Sequence, residues 1–159
     1  MTFEQRVSEL GLQLPPEPLL PPGVQIPFDW VRLAGERCLL SGHGALAADG
    51  SPAGPFGRVP SEVPLEAAQE SARLTVLAML SSLRIALGSL DRVRDWVTLN
   101  GFVNADPGYP QTTAVLNPAS DLLLAVYGEH GRHARTAIGV AALPLNLPVI
   151  MSAEVIVTP

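Results

Sequence analysis

The sequence predicts one α+β domain in which a single sheet, ordered ββαβαββ along the chain, carries two long helices on one of its faces. Two segments repeat apolar residues every three or four positions, five shorter ones read as strands, and prolines and glycines fall between them. The 159 residues suffice to bury a core without disulfides or a structural metal.

Residues 3–12 set Phe3, Val7 and Leu10 against Glu4, Gln5, Arg6 and Glu9, a short amphipathic helix that stops at Gly11. Prolines at 15, 16, 18, 21 and 22 then fix φ and remove donors, so 14–23 reads as an extended linker. On this reading 1–23 is an N-terminal helix with a proline-rich linker, and the compact domain occupies 24–159. Residues 28–31 and 37–40 read as two strands about a turn at 34–36. A Gly- and Pro-rich loop follows, from 42 to 60.

Pro64 suits a first helical turn. After it, Leu65, Ala68, Ala72, Val76, Met79, Leu83 and Leu87 keep helical spacing until Gly88. Next, Val93, Val97, Leu99 and Val103 alternate with Arg94, Trp96, Thr98 and Phe102, a strand with an aliphatic face toward the helix and a mixed face away from it. A second helix is expected over 112–127, with Asn117-Pro118 as an irregularity able to split it. Strands over 134–142 and 149–157, joined through 143–148, complete the order. The face carrying Trp96, Phe102 and the small residues around Arg135 is left uncovered, which predicts packing against further copies of the chain.

Composition narrows the function. Net charge is −5, and the ten cationic residues are all arginines dispersed along the chain, which argues against a polyphosphate or nucleic-acid partner. The lone Cys38 permits no internal bridge, and no Cys/His cluster has zinc spacing, so neither metal nor other cofactor is expected. Met1 to Arg6 lack the basic and apolar blocks of a secretion signal. No apolar run approaches the roughly 20 residues of a membrane span, so a cytoplasmic protein without membrane contact is expected.

Arg135 is the residue most informative about chemistry. It heads an otherwise small and apolar strand, where a guanidinium needs an anionic partner because it cannot shed its proton. It is half of an ion pair or a clamp for a ligand carboxylate. If the 143–148 turn is a symmetric hairpin, Ala137 faces Glu154, and Glu154 becomes a diagonal ion-pair partner for Arg135.

Ser41-Gly42-His43, Gly88-Ser89-Leu90-Asp91-Arg92-Val93, His133-Ala134-Arg135-Thr136, Leu143-Pro144-Leu145-Asn146 and Asn117-x-x-Ser120-Asp121-Leu122 together resemble the RidA/YjgF family of enamine/imine deaminases, over about residues 24–157. The match is to its longer subgroup with an N-terminal extension; the family also carries the name endoribonuclease L-PSP. The resemblance implies a chorismate-mutase-like fold, a homotrimer, and ligand clefts between subunits. It implies a small carboxylate, keto or imino acid as ligand, with hydrolysis of enamine or imine intermediates to 2-oxo acids and ammonia as the reaction. Arg135 falls on the carboxylate-binding arginine. Phe28 stands where deaminases have tyrosine, Gly42 on a cleft glycine, His43 in place of a glutamine, and Asn117 near a cleft asparagine; Ala137, two residues beyond Arg135, is counted with them. Ile150 occupies the position of the glutamate that places the attacking water, so the alternative is a non-catalytic metabolite-binding or accessory protein.

Other candidates have plainer readings. His130-x-x-His133 lacks a third ligand at metal spacing. His43 is either a general base or a turn residue. Cys38, beside Leu39 and Leu40, reads as a small buried hydrophobe.

Overall fold

A computed structural model describes residues 1–159. The elements are α1 (Phe3–Glu9), β1 (Val31–Ala34), β2 (Arg37–His43), α2 (Leu65–Leu87), β3 (Val93–Asn104), α3 (Thr112–Tyr127), β4 (Ala134–Val140) and β5 (Val149–Val157), with short 3-10 turns at Leu90–Arg92, Gly128–Gly131 and Pro144–Asn146. The expected ββαβαββ order is present. Phe28 lies ahead of β1 rather than inside it, and β2 runs three residues further than expected.

The five strands form one sheet in the order β1-β2-β5-β3-β4, with β3 and β4 parallel and the other pairs antiparallel. The expected hairpin between the last two strands does not form, because β3 lies between them. A parallel β3–β4 pair needs a crossover, and α3 supplies it. Helix α2 packs over β2 and β5, α3 packs over β3 and β4, and the helices lie side by side. Val149, Met151, Ala153 and Val155 of β5 and Leu99 and Val103 of β3 face them and are buried.

Helix α2 starts after Pro64 and ends at Gly88, whose φ of 80° is the left-handed cap that glycine adopts without strain. Helix α3 is continuous through Pro118. Proline cannot bond the carbonyl four residues back. That carbonyl, on Ala114, accepts instead from Gln69 Nε2 at 2.9 Å, so the helix is not split. Between α3 and the sheet, Gly101 faces Leu116 so closely that a Cβ there would lie 1.8 Å from Leu116 Cδ1.

Register shifts along the sheet, two between β3 and β5 and one between β2 and β5, change which side chains face inward. The β3–β5 register shifts between Trp96 and Thr98, and the extra residue inverts the alternation. Trp96 is therefore buried against Tyr127, ring centroids 5.8 Å apart, while Val97 is exposed. This corrects the expectation that Trp96 lies on the uncovered face. The β2–β5 register shifts between Leu40 and His43, so both side chains point into the core. On the face away from the helices, Ile150, Phe102 and Ile138 form one cross-strand row, and Ser152, Asn100 and Thr136 the next.

The N-terminal segment packs on this body. Thr2 and Gln5 form a capping box, and Val7 is buried. Phe3 lies 4.5 Å from the Tyr127 ring, Glu4 pairs with Arg84 at 2.6 Å, and Asp91 accepts from the Phe3 and Glu4 amides. The proline-rich stretch is extended and fastened down: Leu19 N donates to Gly50 O at 2.9 Å, and Ser81 Oγ to Pro15 O.

Candidate functional site

The candidate residues gather in two places on the chain. Arg135, in edge strand β4, pairs in register with the inward-facing Leu99, and its side chain reaches α3. Nη2 donates to Asn117 Oδ1 at 2.9 Å and to Thr113 O at 3.4 Å, and Nη1 donates to Ser120 Oγ at 3.1 Å. Ser120 also bonds His133 Nε2 at 2.9 Å, while His133 Nδ1 donates to Gly131 O at 2.7 Å. A carbonyl only accepts, so Nδ1 holds a proton, and in the neutral ring Nε2 accepts from the Ser120 hydroxyl. Asn117 and Ser120 occupy one face of α3 because they are three residues apart. The geometry thus joins the Asn-x-x-Ser and His-x-Arg motifs. His130 turns away, to Asp95 at 3.0 Å. Ala137 follows Arg135 on the same side of β4, half-buried against the core.

The expected pairing of Arg135 with Glu154 does not occur. Glu154 lies on the opposite face of the sheet, two strands away, and binds Arg37 Nε at 2.6 Å. That guanidinium holds the Glu154 carboxyl below the usual carboxylate range.

Phe28, Gly42, His43 and Ile150 gather around a cavity of about 540 Å³. A Cβ on Gly42 would meet Ile150 Cγ2 at 3.1 Å, so backbone and side chain are in contact there. Phe28 packs edge-on to Trp30 with centroids 5.4 Å apart, and Trp30 in turn lies 5.3 Å from the His43 ring. His43 has no free nitrogen. Nδ1 donates to Ser41 O at 2.6 Å, and Nε2 accepts from Ser82 Oγ at 2.8 Å. Burial lowers its pKa below the usual histidine value, so it is neutral at pH 7 and ill placed as a general base. Cys38 is buried, and desolvation pushes its thiol to about 11, which makes it a poor nucleophile.

Trp30 and the proline segment 18–22 also line this cavity. Trp30 could have been found by its spacing of two from Phe28. The proline segment gave no such signal, since stiffness and extension do not say where a chain docks. Arg135 and Ile150 do not meet within one chain: they lie on opposite faces, with β3 between their strands.

Residues 56–154 match the family described as "YjgF/chorismate mutase-like, putative endoribonuclease". Protein TCP17 of Trypanosoma cruzi is 44% identical over 100 residues, a match that spans 62% of this chain and 62% of that protein's length. Among solved structures, the Agrobacterium tumefaciens protein Atu1372, described as of unknown function, is 32% identical with a TM-score of 0.85, covering 98% of this chain and 92% of that one. A "putative endoribonuclease" from Shewanella oneidensis is 25% identical with a TM-score of 0.87, covering 99% and 100% of the two chains. The architecture is thus the chorismate-mutase-like α+β fold, and the chain belongs to the YjgF/chorismate mutase-like family.

Proposed function

We propose that the protein binds small carboxylates, 2-oxo or imino acids among them, through Arg135, in clefts completed between subunits of a homotrimer. One observation carries the reading. Of the ten arginines, Arg37, Arg73, Arg84, Arg94 and Arg132 have a carboxylate within 4.0 Å; among those without one, Arg58 and Arg92 donate to backbone carbonyls, whereas the Arg135 guanidinium is aligned by two neutral side-chain acceptors of α3, Asn117 Oδ1 and Ser120 Oγ, besides the Thr113 carbonyl. A guanidinium aligned without a counter-charge is ready for an anion from outside the chain. The net charge of −5 makes RNA a poor candidate for that anion.

Hydrolysis of an imino acid adds water across C=N; the water must lose a proton, the nitrogen must gain protons, and the carbinolamine then expels ammonia to leave the 2-oxo acid. An acid–base group speeds these transfers. Ile150 cannot serve, and both nitrogens of His43 are engaged. The protein is accordingly a carboxylate binder with weak imine hydrolase activity, the residual rate coming from orientation of the substrate. Calorimetry with pyruvate, alongside ammonia release from freshly generated 2-aminoacrylate, tests this. Pyruvate binding with slow ammonia release is expected, and no binding of any 2-oxo acid refutes the reading.

A further inference from the structure

The cavity beside Phe28 is apolar beyond what holding a small carboxylate requires. Its walls are the proline segment 18–22, the Phe28–Trp30 pair, and Leu145, Leu147 and Ile150. No Asp, Glu, Lys or Arg lines it, and its one titratable side chain, His43, is sealed by two hydrogen bonds. About 540 Å³ falls in the range of small-molecule sites. Leu19, Phe28 and Leu145 stand at it 61%, 49% and 67% exposed, so three large apolar side chains meet solvent around one concave site, where a ligand can cover them together.

Two backbone devices hold these walls in place. Leu145 has φ of 59°, a left-handed conformation disfavoured for any residue with a Cβ, and the next residue, Asn146, fixes it through bonds to Asn104 Nδ2 and the Gly57 amide. The core gains nothing from that exposed leucine. On the other side the proline segment crosses Gly50, whose φ is 87° and where a Cβ would lie 2.7 Å from Glu17 O. Only glycine lets the segment lie so close. Its prolines then make that wall stiff before any ligand arrives.

We propose that this cavity binds the uncharged apolar portion, aromatic or branched aliphatic, of a small molecule, with the proline segment as its fixed outer wall and Leu145 as the contact at its mouth. Combined with the carboxylate reading, on which only the head group rests, the ligand is an acid bearing a bulky hydrophobic group. The full-length protein is titrated calorimetrically with indole, which has no carboxylate, and with pyruvate and phenylpyruvate, while light scattering follows assembly. Indole should bind, and at least tenfold more weakly to Ile150→Trp, which fills the cavity, and to Leu145→Gly, which removes the mouth contact and relieves the backbone. Phenylpyruvate should bind at least about tenfold more tightly than pyruvate, since each buried methylene contributes roughly fourfold. Indole binding without binding of either acid upholds the cavity and refutes the carboxylate reading. Equal affinity for the two acids without indole binding overturns the cavity and leaves that reading standing. Indole binding that survives both substitutions also overturns it, as does loss of assembly in Leu145→Gly with ligand binding unchanged, which would make the cavity a subunit contact.

Discussion

Replacing Arg135 by lysine separates its two possible roles, because lysine keeps the charge and loses the fork. As a strut, Arg135 offers the fold three bonds to neutral oxygens of α3, at 2.9, 3.1 and 3.4 Å, the last at the limit of bonding distance. Such bonds contribute roughly 0.5–1.5 kcal/mol each, and the ammonium can retain one. The half-exposed site therefore loses about 1 kcal/mol, a fall in Tm of about 2–4 °C for a chain of this length. As a clamp, the lost bidentate contact costs about 1.5–3 kcal/mol of binding, or roughly 10- to 150-fold in Kd. Pyruvate calorimetry and thermal melts on the same preparations read both quantities. A fall in Tm beyond about 6 °C with unchanged pyruvate affinity refutes the reasoning, for it would make Arg135 a tie between β4 and α3.

Ile150→Glu should raise ammonia release from 2-aminoacrylate, since a positioned acid–base group contributes about 10²- to 10⁴-fold; wild-type rates that already match the variant's would show that Ile150 is no handicap. His43 is kept neutral by burial, while in the unfolded chain it protonates near pH 6.5. The unfolded state then binds more protons below that pH, so stability falls as pH drops from about 7 to 5, and His43→Gln should flatten the Tm profile over that interval. Gly101→Ala places a methyl 1.8 Å from Leu116 Cδ1 and should destabilise by about 1–3 kcal/mol through overpacking, read by urea unfolding. Light scattering should give about three times 16.8 kDa, and a stable monomer at micromolar concentration would remove the inter-subunit cleft.

The fold was legible wherever periodicity ran unbroken. Helix α2 could be bounded from Pro64 and Gly88 because propensity, spacing and cap agree at both ends. Trp96 was misplaced because it lies next to a bulge, and one extra residue moves a side chain to the other face without altering composition. The β4–β5 hairpin was misread because sequence neighbours usually pair, and nothing in 143–148 says that β3 has taken the place between them. Continuity of α3 through Pro118 depends on Gln69, 45 residues distant from the carbonyl it satisfies. Tertiary contacts of that range leave no local trace.

The candidate residues divide in the same way. Asn117, Ser120, His133 and Arg135 come from two motifs that β4 and α3 bring together, so their spacing was informative on its own terms. Their relation to Phe28, Gly42 and Ile150 was not, because it depends on sheet order. Adjacent strands lie about 4.8 Å apart, which sets the β4 backbone roughly 10 Å from β5, and Arg135 then points to the helix side while Ile150 faces the other way. A small acid anchored by Arg135 cannot also touch Ile150 of its own chain. If both residues serve one ligand, the second must come from a neighbouring copy. Arg135 lies on an edge strand and Ile150 faces the uncovered side of the sheet, the two surfaces that one chain leaves available for such a neighbour.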